Sequence, residues 1–212
     1  MQREWDERAR KNAFHYVATG RSDWTAADFV ESGRVTVANE ILTDMENVCQ
    51  GKDPREMRVL EIGCGAGRIT RALAETFGEV HGVDVSGEML KIAAGLLDGV
   101  PNVFLHQNNG ADLSVLESVQ FDFAFSYIVF QHIPSKAVIE NYVREVGRLL
   151  KPGALFKFQV QGAPGRTPKN DTWFGASFSQ ADALALAERC GFEMRYSTGE
   201  GTQLFWLWFF KR

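Results

Sequence analysis

Two short segments of this 212-residue chain hold the residue types best equipped for chemistry: Leu60-Glu-Ile-Gly-Cys-Gly-Ala-Gly67 and Gly82-Val-Asp-Val-Ser86. The first leaves an apolar run, Val59–Ile62, and enters an amphipathic stretch, Ile69–Phe77. A glycine-rich loop carries meaning in that strand-to-helix setting. Glycine lets the backbone turn tightly and approach a ligand closely. The exposed N–H groups of the following helix favour an anionic group. The spacing is Gly63-x-Gly65-x-Gly67, whereas a dinucleotide fingerprint wants G-x-G-x-x-G. Glu61 stands just ahead of the loop, and Asp84 closes the next strand-like run. A carboxylate at that place can accept both hydroxyls of a ribose. Aspartate there also serves nicotinamide proteins, so the pair marks an adenosine ligand without choosing one.

These residues need a frame. Residues 1–50 read as helical, with Val37, Ile41, Leu42, Met45 and Val48 on one apolar face. After Gly51 and Pro54, short β-forming runs alternate with helix-period segments. The strand runs are Val59–Ile62, Val80–Val85, Val103–His106, Phe121–Ser126 and Ala154–Val160. The helical ones are Ile69–Phe77, Met89–Leu97 and Lys136–Leu150. Such alternation predicts βαβ units and a parallel sheet with helices on both faces. Ser179-x-x-Asp182 opens a further helix as a capping box, and Phe192–Ser197 and Gln203–Phe210 read as a closing antiparallel hairpin. A single domain is expected, residues 1–50 forming a helical cap on a core over residues 55–212.

Bulk properties exclude several classes. A net charge of −4 and the lack of a basic stripe argue against nucleic acid. No apolar run reaches the roughly 20 residues of a membrane span, and the charged N-terminus is no signal peptide; a cytoplasmic protein is expected. Three scattered cysteines and four histidines provide neither a disulfide framework nor metal-ligand spacing, so no metal is expected.

Phe121-Asp-Phe-Ala-Phe-Ser126, His132 and Leu149-Leu-Lys-Pro-Gly153 follow the two opening segments in a fixed order and spacing. In this combination, over about residues 55–212, the chain resembles the class I S-adenosylmethionine-dependent methyltransferases. The resemblance implies an α/β, three-layer Rossmann-like fold: a seven-stranded, mostly parallel sheet with an antiparallel last strand, plus extra N-terminal helices. It implies S-adenosylmethionine as cofactor and S-adenosylhomocysteine as product. Gly63, Gly65 and the backbone of Cys64 would pass under the methionine moiety, Asp84 would hold the ribose, and Val85 and Met89 would lie against adenine. Asn109 falls where an acidic residue usually stands; its amide oxygen can accept from the adenine amino group while the Gly110 N–H reaches a ring nitrogen. Ser126 and Tyr127 would border the methyl-bearing end.

Alternatives stay open at several positions. Gly67 serves the ligand or helix packing, and Met89 serves adenine or the core. Arg68 and Arg34 pair with the cofactor carboxylate or face solvent. His132 is a candidate general base or a fastener of its loop. A sulfonium methyl is already activated, so the protein's task is alignment. Aromatics at Trp5, Phe14, Tyr16, Trp24, Phe29, Trp173, Phe174 and Phe178, flanking a lid over 162–169, suit a small or medium organic acceptor taken up by a monomer or homodimer. Against this stand a protein or nucleic-acid methyltransferase, a non-catalytic scaffold, and a nicotinamide oxidoreductase.

Overall fold

A computed structural model describes residues 1–116, 119–163 and 172–212. The chain falls into two compact units, Met1–Gly110 and Ala111–Arg212. Its seven strands stand in the order β3-β2-β1-β4-β5-β7-β6.

The first unit opens with two helices, α1 (Gln2–Val17) and α2 (Ala26–Glu40), and a short α3 (Met45–Cys49). Helix α1 is broken at Asn12, whose backbone leaves the helical region. The Asn12 side chain then caps the next turn, its Oδ1 accepting from the His15 N–H at 3.1 Å. Thr25 caps α2 by accepting from the Asp28 N–H. The single apolar face expected over 37–48 is interrupted, because α2 ends at Glu40 and gives way to a 3-10 turn. There the Thr43 hydroxyl donates to the Asn39 carbonyl at 2.6 Å, a local bond that competes with the helical ladder. Leu42 is left exposed while Val37, Ile41 and Val48 are buried.

Strands β1 (Arg58–Ile62), β2 (Glu79–Asp84) and β3 (Val103–Gln107) pair in parallel. Between them run α4 (Arg68–Thr76) and α5 (Gly87–Leu96). Ser86 caps α5 by accepting from the Met89 N–H. Across β2 and β3, the His81 and His106 rings lie nearly parallel with centroids 5.0 Å apart, and His81 Nδ1 stands 2.9 Å from His106 Nε2.

The second unit holds β4 (Phe121–Ser126), α6 (Lys136–Leu149), β5 (Leu150–Val160), α7 (Gln180–Arg189), β6 (Phe192–Thr198) and β7 (Phe205–Lys211). Strand β5 lies parallel to β4, and β7 is antiparallel to both β5 and β6. The expected capping box at Ser179 and Asp182 is formed. Strand β5 begins four residues before the expected Ala154. Its register against β4 shifts between Phe121 and Phe123, an irregularity of the kind that admits Pro152, which cannot donate to a ladder. Phe130, Phe156, Phe158, Phe192 and Phe209 are fully buried and pack ring against ring. Each such side chain contributes roughly 1.5–3 kcal/mol by leaving water.

Candidate functional site

The glycine loop of the first unit is tied to the end of β2. The N–H groups of Gly63 and Cys64 donate to the Val83 carbonyl at 2.7 and 3.1 Å. The Gly65 N–H donates to Asp84 Oδ2 at 2.8 Å, and the Ser86 N–H to Asp84 Oδ1 at 2.8 Å. The Val85 amide adds to their pull, and the carboxylate, with about four acceptor sites, keeps capacity for a further donor. Burial pushes the Asp84 carboxyl above the usual range, against the pull of the Ser86 and Gly65 amides. Asp84 is held in one orientation at the loop, half-buried, with acceptor capacity to spare.

Loop and helices need their small residues for packing as well. Gly67 has φ +86°, and a Cβ there would stand 3.1 Å from Ala93 and Leu97 of α5. Gly65, at φ +53°, would place a Cβ 2.9 Å from the Val17 side chain. A Cβ on Gly110 would meet Val85 at 3.0 Å and the Met1 methyl at 3.5 Å. Helix α1 therefore touches both Gly65 and Gly110. Ala9 and Ala13 of α1 pack with Phe29, Ala66 and Met89, so Met89 is buried in that cluster. A polar latch secures the same helix: Asp6 accepts from the Ser86 hydroxyl at 2.6 Å and the Glu88 N–H at 3.2 Å. Burial alone would raise the Asp6 carboxyl, but these donors and Arg10 hold it below the usual range.

The remaining residues singled out in this unit take varied places. Val85 is half-buried beside Gly110, and Asn109 is exposed. Glu61 is buried and accepts from the Thr70 hydroxyl at 2.6 Å; burial lifts its pKa to about 7. Burial pushes the Cys64 thiol well up, so it is protonated at neutral pH. Both arginines are engaged away from the loop. Arg34 forms a fork on Glu75 at 2.7–3.1 Å and reaches Glu31 at 3.0 Å. Arg68 is only 6% exposed, neither solvated nor open to a ligand along its bonds to the Ser32 carbonyl and the Thr36 hydroxyl. It binds α4 to α2.

In the second unit, Ser126 is buried at the end of β4 and Tyr127 is half-buried just after it. Tyr127 stacks on Phe125 and stands 5.8 Å from the Trp206 ring. His132 Nδ1 lies 2.9 Å from the Trp173 carbonyl. A carbonyl only accepts, so Nδ1 carries the proton and Nε2 is the basic nitrogen of the neutral ring. Nε2 lies 3.4 Å from the Gln131 amide nitrogen. The expected lid at 162–169 lies outside the described residues beyond Ala163; of its flanking aromatics, Phe178 is buried.

Sequence reading missed Asp6, which sits in a charged helical turn that reads as a solvated face.

A family model described as a methyltransferase domain matches residues 59–153. The ubiquinone biosynthesis O-methyltransferase of Roseobacter denitrificans is 24% identical over 167 residues, covering 78% of this chain and 60% of the relative. The one from Xanthomonas oryzae pv. oryzae is 32% identical over 110 residues, 50% of this chain and 44% of the relative. This chain therefore spans less than two thirds of those relatives. Among solved structures, magnesium protoporphyrin IX methyltransferase from Synechocystis, crystallised with S-adenosylhomocysteine, has a TM-score of 0.68 at 14% identity. The match covers 100% of this chain and 97% of that one, and it shows the shared fold.

Proposed function

We propose that this chain, matched over residues 59–153 by a methyltransferase-domain model, is a class I S-adenosylmethionine-dependent methyltransferase that acts on a small or medium organic acceptor. Oxygen is the attacked atom this reading favours, in keeping with relatives described as O-methyltransferases. The observation that carries it is Asp84: a carboxylate fixed at the end of β2 by the Gly65 and Ser86 amides, with acceptor capacity to spare, suits the hydroxyls of a ribose. S-adenosylmethionine, when bound, supplies an activated methyl whose carbon–sulfur bond breaks as the acceptor's oxygen–carbon bond forms, leaving S-adenosylhomocysteine and a proton.

The chain's own part is to bind and align. Asp84 receives the ribose hydroxyls, and the backbone of Gly63, Cys64 and Gly65 runs beneath the methionine moiety. Val85 and Gly110 flank the adenine. Ser126 and Tyr127 border the methyl end, where placing the two reactants is worth roughly 7–11 kcal/mol. His132 fastens that loop through Nδ1–H on the Trp173 carbonyl, and its Nε2 is the nitrogen left basic there. The cytoplasm is the compartment proposed, since Cys49, Cys64 and Cys190 are buried free thiols.

Calorimetric titration with S-adenosylhomocysteine, with NAD and NADP in parallel, tests the reading. Micromolar binding of the homocysteine compound alone is the expected result. Binding of a nicotinamide cofactor instead would overturn it.

A further inference from the structure

Asp6 uses only one of its two oxygens. Oδ1 accepts twice, from the Ser86 hydroxyl at 2.6 Å and from the Glu88 N–H at 3.2 Å. Among the described residues no hydrogen bond falls to Oδ2. The residue is half-buried rather than enclosed. Burial alone would raise its carboxyl, but the Ser86 and Glu88 donors, with Arg10 and Lys91 close by, hold it ionised. An ionised carboxylate only accepts, and it can take about four donors. A latch made through one oxygen leaves the other available.

The free oxygen belongs to a helix that lies along the glycine loop. Ala9, three residues on from Asp6 and so on the same side of α1, is buried with Ala66 and Met89. At the far end of α1, Val17 would stand 2.9 Å from a Cβ on Gly65, while ahead of α1 the Met1 methyl would stand 3.5 Å from one on Gly110. The helix therefore spans the cradle from Gly110 to Gly65, and Asp6 lies between those ends. Ser86 sets its position against Asp84: the Ser86 N–H donates to Asp84 Oδ1 and the Ser86 hydroxyl to Asp6 Oδ1. One serine thus holds both carboxylates. Asp84, raised chiefly by burial, is raised further by the charge of Asp6.

Asp84 by itself is short of acceptor sites for a ribose. Gly65 and Ser86 each occupy one of its oxygens, and the Val85 amide draws on it as well. Of about four sites, that leaves room for one more donor. A ribose brings two hydroxyls. Neighbouring carboxylates favour a ligand that offers donors and adds no negative charge.

Resting on the methyl-transfer reading above, we infer that Asp6 is a specificity-determining residue of the cofactor site, its Oδ2 accepting one ribose hydroxyl while Asp84 accepts the other. The two hydroxyls assigned above to Asp84 are divided between the carboxylates. Helix α1 is then a wall of the cofactor site, and the site selects an adenosyl ligand whose ribose hydroxyls are both present and unmodified.

The probes are S-adenosylhomocysteine and its 2′-deoxy and 3′-deoxy analogues, titrated calorimetrically into the whole chain. The wild type should bind each analogue about tenfold less tightly than the parent compound, the effect of losing one charge-assisted hydrogen bond. In Asp6→Ala one analogue should bind within about twofold of the parent, because the hydroxyl it lacks has no acceptor left to lose, and the other should keep its deficit. Asp6→Asn retains an oxygen for Ser86 and Glu88 and so spares the latch. Neutral hydrogen bonds are roughly half as strong as charged ones, so this variant should reduce the same analogue's deficit to about threefold. Three results overturn the inference: wild-type binding indifferent to either hydroxyl, affinities for all three compounds falling by one common factor in both variants, or affinities unchanged in both. The second is the signature of a latch that never touches the ligand. Failure of the wild type to bind S-adenosylhomocysteine would instead remove the methyl-transfer reading, and this inference with it.

Discussion

The carboxylate of Asp84 is both a fastening point and the candidate ribose ligand, and the two duties separate by substitution. Asp84→Ala would leave the Gly65 and Ser86 amides without their acceptor, at about 1–3 kcal/mol for each group kept from water. Asp84→Asn retains one oxygen. It is expected to weaken S-adenosylhomocysteine binding at least tenfold, about 1.4 kcal/mol, with a smaller loss of melting temperature than Asp84→Ala because one of the two amides keeps its acceptor. Unchanged affinity in a folded Asn variant would dismiss the ribose assignment. His132 divides differently. Its Nδ1–H is committed to the Trp173 carbonyl and its Nε2 faces the Gln131 amide, so holding the loop is its stronger duty. His132→Ala should lower thermal stability while leaving turnover within a few-fold of wild type across pH. A loss of 10²–10⁴, the range for general-base help, confined to one limb of the pH–rate profile would make it the base instead.

At the scale of elements, helix α1 carries a testable consequence. It touches Gly65 through Val17 and approaches Gly110 through Met1, and its polar attachments are Asp6 on the Ser86 hydroxyl and Glu88 amide and Arg10 on the Glu88 carboxylate. Asp6→Ala keeps the Ser86 cap of α5 but removes the Asp6 latch. Hydrogen exchange over residues 2–11 should quicken about tenfold, and S-adenosylhomocysteine should dissociate faster; exchange equal to wild type would show that apolar packing and the Arg10–Glu88 pair suffice to hold the helix. Sequence periodicity made most elements legible, since α4, α5, α6 and every strand are regular segments whose burial follows local pattern. It did not disclose the break after Glu40 or the early start of β5, because both turn on contacts unseen locally: a threonine hydroxyl bonding back to Asn39, and a register shift against β4. The glycine loop and Asp84 were likewise readable from spacing. Arg68 was not, since its burial depends on α2 approaching closely enough for Gly33 to lie against the Arg68 backbone.

For the whole molecule, stability becomes linked to ligand and to pH. S-adenosylhomocysteine at a hundred times its dissociation constant should add about 2.7 kcal/mol to the unfolding free energy, read as a rise in melting temperature. Two opposed contributions shape the pH dependence near neutrality: Glu61, whose raised pKa favours the folded state as pH falls, and the His81–His106 pair. His81 Nε2 lies 2.7 Å from Glu79 Oε1 and its Nδ1 2.9 Å from His106 Nε2. Glu79 is held ionised by Arg58, so it accepts from His81 Nε2–H. In the neutral pair Nδ1 then accepts from His106 Nε2–H, and a second proton on His81 would reverse that bond. Burial pushes both imidazoles below the ordinary histidine value of 6.5, outweighing on His81 the opposing pull of Glu79, while His81 adds to the effect on His106. At this pair the folded state therefore binds protons less readily than the unfolded chain. The pair's contribution is fully present above about pH 6.5 and is lost as pH falls towards the folded values. The pair should lower urea midpoints from pH 7 to pH 5, a decline read against His106→Gln, which shares the opposing contribution of Glu61. His106→Gln, whose amide can still donate to His81 while no longer titrating, should flatten that decline. A decline of undiminished steepness in His106→Gln would place the acid sensitivity elsewhere in the molecule.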